Sequence, residues 1–254
     1  MNPALWNPSQ NWLRQLAQHG HKPARGVVCL ALLVLAARPA AAQQESFRQA
    51  NASGSCNVLV IGYVGGVGTV RIPPTVAVPI LHHLKSLGYP GLCIRLVSPY
   101  CLGCGARWVK KHFSAGGKGP LTPRQIELGP KVISFGYSLG VPSELRAARV
   151  LERAGIPIEL LVAVDSKGFT KGIIPNNVRQ AANFYERELF PLYFGKKDLR
   201  PEDPAKTNFM GNIHLASVGH FSIVRSSAVR DLLVTTVRRL SESEAKEVRS
   251  GPLD

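Results

Sequence analysis

The chain has 254 residues, 45% of them hydrophobic, enough for one domain with a full core. Its formal charge is +15, from 31 Lys and Arg against 16 Asp and Glu. The cations are scattered rather than clustered with aromatics, which argues against nucleic-acid binding and leaves anionic envelope surfaces or acidic polymers as the partners such a charge favours.

Residues 1–42 read as a secretory signal peptide. Arg14, Lys22 and Arg25 precede an uncharged apolar run over 26–37, and Ala40-Ala41-Ala42 supplies a small-residue cleavage site after Ala42. The run is short for a bilayer span. Val28 stands where a lipoprotein signal ending at Cys29 would need a small residue. The segment holds four of the basic residues and no acid, so its removal leaves about +11. Residues 43–56 are a polar, flexible lead-in.

Asn57-Val58-Leu59-Val60-Ile61 reads as a buried strand, followed by the glycine loop Gly62-Tyr63-Val64-Gly65-Gly66-Val67-Gly68. A helix is expected over 76–87, closed by Gly88 and Pro90, and a second strand over 92–97. Residues 98–125 are irregular, with a short helix near 106–112, and another helix starts at 125–128. Strand 131–135 and helix 143–152 come next, then a strand over 157–164 that ends at Asp165. Residues 176–188 read as a helix, 213–217 as the final strand and 227–240 as the closing helix. The domain therefore spans 57–240, with 241–254 as a mobile polar tail. Apolar strand runs alternating with helices predict an α/β fold whose mainly parallel sheet is covered on both faces. In such sheets functional groups gather beyond the carboxyl ends of the strands.

Export leaves Cys56, Cys93, Cys101 and Cys104, an even number in an oxidising compartment, and three pairings are possible. Cys101-Leu102-Gly103-Cys104 lacks a second ligand pair for zinc and thioredoxin-like flanks, so structural disulfides are expected.

The chemistry centres on Gly136-Tyr137-Ser138-Leu139-Gly140, a G-x-S-x-G pentapeptide between a strand and a helix. A serine pinched there sits on a sharp turn that thrusts its hydroxyl outward. A serine hydroxyl needs a base in hydrogen-bond reach and a group that orients the base. Asp165 ends an apolar strand beside the elbow strand, where a carboxylate would be costly to bury without a partner. Asp198 and Asp203 are rivals in a polar loop. His220, after the last strand and preceded by Gly219, is the base candidate, with His214 inside that strand as rival. The oxyanion hole takes the N–H of Leu139 and a second N–H from the Gly62–Gly66 loop, from Tyr63 or Val64.

That loop spells G-x-x-G-G-x-G rather than G-x-G-x-x-G, and no acid ends the next strand, so a dinucleotide is not expected. His82 and His83 point in different directions on a helix and have no evident third ligand, so no metal is expected either.

Taken together, 58–66, the 135–140 elbow, 162–165 and 218–220 resemble the α/β-hydrolase superfamily over roughly residues 57–240. An acid after the strand that follows the elbow strand is similar to thioesterase domains and pancreatic-type lipases. Ile174-Pro175-Asn176-Asn177-Val178 with Asn183-Phe184-Tyr185 resembles small bacterial lipase-like hydrolases. The resemblance implies the α/β-hydrolase fold and cleavage of a small-molecule or lipid ester, or a thioester, through an acyl-enzyme on Ser138, Asp165 and His220. A non-catalytic envelope-binding protein on the same scaffold is the alternative. Phe184, Tyr185, Leu189, Phe190, Leu192, Tyr193 and Phe194 would either line an acyl pocket or pack a helix.

Overall fold

A computed structural model describes residues 56–65, 78–101, 103–114, 120–166, 172–186 and 198–250. The signal-peptide segment, most of the lead-in and residues 189–194 of the aromatic patch lie outside the described residues.

Val58–Tyr63 (β1) is buried along its whole length, as a run of Val, Leu and Ile inside a parallel sheet should be. Leu92–Val97 (β2) and Lys131–Tyr137 (β3) flank it in parallel, pairing Val58 with Leu92 and with Lys131. Leu160–Val164 (β4), Gln180–Tyr185 (β6) and Asn208–His214 (β8) extend the sheet beyond β3 in the order β2-β1-β3-β4-β6-β8, every pairing parallel. Ile173–Ile174 (β5) and Arg200–Pro201 (β7) form a separate two-stranded pair. An all-parallel six-stranded sheet in this order, with helices on both faces, fits the α/β fold expected from the sequence.

Alternation along β1 sends successive side chains to opposite faces. Val58 and Val60 join a core with Leu81 and Leu84 of helix Val78–Ser86 (α1) and Leu233 and Val237 of helix Ser227–Ser250 (α5). Leu59 and Ile61 join a second core with Val109 of helix Cys104–Phe113 (α2) and Leu145 of helix Gly140–Glu152 (α4). The sheet is thus covered on both sides. The short helix Pro123–Glu127 (α3) is opened by Thr122, whose hydroxyl accepts from Gln125 N while the Gln125 side chain accepts from Thr122 N. No helix of the described residues is long and apolar enough to cross a membrane.

Three expectations are corrected. Residues 176–188 are not a helix: 180–185 form β6, paired with β4 and β8. The helix-forming look of Gln180-Ala181-Ala182 yields to a slot between two strands, where all residues from Ala181 to Tyr185 are buried. The closing strand is longer and earlier than expected, at Asn208–His214, and the closing helix runs on to Ser250. β8 alternates exposed and half-buried residues, the pattern of an edge strand with one wet face.

Cysteines pair as Cys56–Cys93, which joins the starts of β1 and β2 with Cα atoms 5.6 Å apart, and as Cys101–Cys104, 5.5 Å apart.

Candidate active site

Ser138 follows β3 directly, with φ 55°, in the left-handed region that L-residues seldom occupy. The motif's glycines make this turn possible. A Cβ at Gly140 would stand 2.1 Å from Tyr63 O, and one at Gly136 would stand 2.3 Å from Glu144 Oε2 and 3.0 Å from Val141 Cα. Only hydrogen fits at either site, so the start of α4 can close down on the end of β1. Ser138 N donates to Val164 O at 2.9 Å, tying the elbow to the end of β4, and Val141 N donates to Ser138 O at 3.2 Å. Leu139 is the residue before α4, so the positive end of that helix lies at Ser138.

One residue beyond β4, Asp165 also adopts a left-handed conformation, φ 47°. It is fully buried, and its Oδ2 accepts a hydrogen bond from His220 Nδ1. That bond sets the tautomer and leaves Nε2 as the accepting nitrogen of a neutral imidazole. His220 lies in the turn after β8, which is closed by Gly219 N donating to Ser222 Oγ at 2.9 Å and Ile223 N donating to Gly219 O at 3.0 Å. The Tyr137 hydroxyl donates to His220 O at 2.8 Å, and its ring stacks on the imidazole at 5.1 Å. The elbow strand thus holds the histidine's backbone and ring directly. This role of Tyr137 leaves no mark in the sequence, because it depends on a partner 83 positions away.

The rivals are placed elsewhere. His214 is the exposed last residue of β8, its ring 5.3 Å from that of Tyr185. Asp198 is exposed, and Asp203 accepts from Ala205 N at 3.0 Å within its own turn.

The two residues expected to offer the second oxyanion N–H, Tyr63 and Val64, lie at the end of β1 and just past it. Val64 N donates to Val97 O at 3.2 Å, so this N–H is already engaged by the neighbouring strand. Tyr63 is the last residue of β1, in register with Val97 and Gly136, its ring buried. The backbone that reaches Ser138 belongs to Gly65: a Cβ there would stand 2.6 Å from Ser138 Cβ and 2.8 Å from Tyr137 O. Phe184 and Tyr185, from the aromatic patch expected either to line an acyl pocket or to pack a helix, are buried on β6, Phe184 within the core.

A third acid stands with the pair. Glu186, one residue past β6, offers a carboxylate oxygen within 4.8 Å of ligand atoms of both Asp165 and His220, and all three residues are buried. Such a trio has the donor set of a cation site, but the Nδ1 of His220 is already committed to Asp165 by a hydrogen bond. Its sequence signal is the one that marks Asp165, a carboxylate closing an apolar strand, hidden here by the helical reading of 176–188.

Beneath the elbow lies a second buried acid. Glu144 of α4 is fully buried, and burial raises its pKa well above the ordinary value, opposed weakly by the Ser134 hydroxyl beside it. The Tyr63 phenol is likewise pushed up, first by its own burial and then by Glu144. A groove of about 420 Å³ lined by Lys131, Glu159 and Arg179 lies at the amino ends of the strands, away from Ser138.

No protein-family model matches the chain, and no curated protein does. Among solved structures it is similar to the thioesterase RedJ from the prodiginine biosynthetic pathway of Streptomyces coelicolor, with 10% identity, TM-score 0.43, and 73% of this chain and 86% of that one covered. It is similar to a hydrolase of the alpha/beta superfamily from Xanthomonas campestris, with 13% identity, TM-score 0.38, and 72% and 99% covered. A Pyrobaculum calidifontis esterase gives 12% identity, TM-score 0.39, and 76% and 78% covered. Likenesses this remote bring no activity to this chain.

Proposed function

We propose that the chain is an exported serine hydrolase that cleaves carboxylic esters through an acyl-enzyme. The observation that carries this reading is the left-handed Ser138 at the strand–helix turn, hydrogen-bonded through its backbone to the strand end that bears the buried Asp165–His220 pair. In this reading Ser138 Oγ attacks the carbonyl carbon and His220 Nε2 takes the hydroxyl proton. The imidazolium is held by Asp165 through Nδ1. The carbonyl oxygen gathers negative charge and is met by the N–H of Leu139 at the helix end and of Gly65 from the loop that reaches the serine. Collapse expels the alcohol, or thiol, with the proton returned by His220, and water repeats the sequence on the acyl-serine. Export rests on the signal-like residues 1–42 and accords with two disulfides, which persist in oxidising compartments. The basic surface would hold the enzyme near anionic envelope material by charge alone.

Fluorophosphonate labelling with peptide mapping tests the reading. A single adduct on Ser138, lost in His220→Ala, is the expected result. Folded protein that takes no adduct sinks it and leaves the non-catalytic envelope-binding alternative, which a salt-sensitive pull-down on anionic material would register.

A further inference from the structure

We propose that Glu186 is a second acid for the same histidine: a positioning residue that holds the His220 imidazole together with Asp165 and takes over the Nδ1 proton when Asp165 is lost. The inference rests on the triad reading above but concerns a residue that reading does not use.

The placement follows from the sheet. β4 and β6 are neighbours in parallel, with Val164 opposite Phe184, so the residues just past each strand emerge side by side. Asp165 N donates to Phe184 O at 2.7 Å, which fixes the turn carrying Asp165 two residues from Glu186. Leu215 N donates to Tyr185 O at 2.9 Å, so the segment that leads to His220 leaves the sheet beside the residue before Glu186. Glu186 therefore lies where the acid's turn and the base's loop meet. Its exposure is 1%, against 0% for Asp165 and 7% for His220.

Two buried carboxylates side by side repel unless a positive charge or a proton stands with them. Here the third member is the imidazole, which becomes a cation each time it takes the proton of Ser138. The resting site is then the poorer balance of charge and the transition state the better one, which is the difference that lowers a barrier. A glutamine or methionine would fill the same space without that effect. The Glu186 side chain, one methylene longer than Asp165, comes from the adjacent strand end and brings a carboxylate oxygen within 4.8 Å of ligand atoms of both Asp165 and His220.

The test is kcat and KM on p-nitrophenyl esters for the full mature protein and for Asp165→Asn, Glu186→Gln and the double variant. Loss of the orienting acid costs about 10⁴-fold when nothing replaces it. Here Asp165→Asn alone is expected to lose no more than about 10²-fold in kcat, with KM unchanged, and the double variant to fall to the full loss. A second readout needs no turnover: the low-field proton resonance of His220 Nδ1–H is expected to persist, shifted, in Asp165→Asn and to vanish in the double variant. A double variant no slower than Asp165→Asn, or a resonance already gone in Asp165→Asn, overturns the proposal. If Glu186→Gln does not fold, Asp165→Asn/Glu186→Asp takes its place, and it too should fall below Asp165→Asn. Wild-type protein that shows no turnover and no fluorophosphonate adduct refutes the hydrolase reading, while the resonance still decides on Glu186. A wild type without that resonance as well overturns both.

Discussion

A single methyl group at Gly65 should separate the role of the loop from the stability of the fold. Alanine there would place its Cβ 2.6 Å from Ser138 Cβ, 2.8 Å from Tyr137 O and 3.0 Å from Tyr137 Cδ1. Comfortable carbon contacts lie near 3.5–4.0 Å, so something must move by about 1 Å. Ser138 is tied through its N to Val164 O, and Tyr137 through its hydroxyl to His220 O, so the displacement falls on the Gly65 backbone. A shift of about 1 Å, or the loss of one oxyanion donor, costs about 10²- to 10³-fold in kcat. The fold should bear about 1–3 kcal/mol of overpacking. Gly103→Ala is the control, since among the described residues its Cβ would meet only Arg107 Nη2, at 3.6 Å. Esterase kinetics with a thermal melt read both quantities. A folded Gly65→Ala enzyme within threefold of wild type refutes the assignment of this loop to the oxyanion.

Tyr137→Phe removes the donor to His220 O and should cost about 1–3 kcal/mol of stability, with kcat down about tenfold and KM steady; equal loss in KM would point to a substrate contact instead. Glu144→Gln tests the buried acid. The folded protein keeps the Glu144 proton to a higher pH than the unfolded chain, which releases it near the ordinary value of 4.5. Stability from this group is therefore complete below that pH and is lost as pH rises toward the raised folded-state pKa, by up to about 1.4 kcal/mol per pH unit. Glutamine cannot ionise, so Tm should fall less from about pH 5 to 7 in the variant than in wild type; parallel Tm curves would show that Glu144 does not carry the dependence.

The elbow was legible because its chemistry is local: a glycine two residues either side of Ser138, a strand before and a helix after are all contiguous in the chain. Asp165 and His220 were legible because a carboxylate closing a buried strand and a histidine past the last strand are conspicuous where parallel strands carry their sites. Glu186 was not, because Gln180, Ala181 and Ala182 are tolerated in a helix, and only the slot between β4 and β8 makes them a strand. The close approach of Gly65 to Ser138 was out of reach for a related reason. Val64 looks as available as Gly65 until the register of β1 against β2 gives its N–H to Val97. Cysteine pairing needed the same register, since Cys56 and Cys93 meet only when Asn57 and Val58 lie alongside Gly91.

The bond between Cys56 and Cys93 also has a kinetic meaning. A parallel sheet must bring together strands far apart in the chain before any contact rewards the search, and this makes such folds slow to form. The link spans 37 positions and sits at the first residues of the β1–β2 pair. In the oxidised unfolded chain that encounter has already been made, and its alignment is remembered to within a residue or two. Oxidised protein should therefore find its sheet from denaturant faster than reduced protein. Under the proposed export the order of events matters: the chain would cross a membrane unfolded and reduced, then gain the covalent guide only on the far side, where folding is wanted.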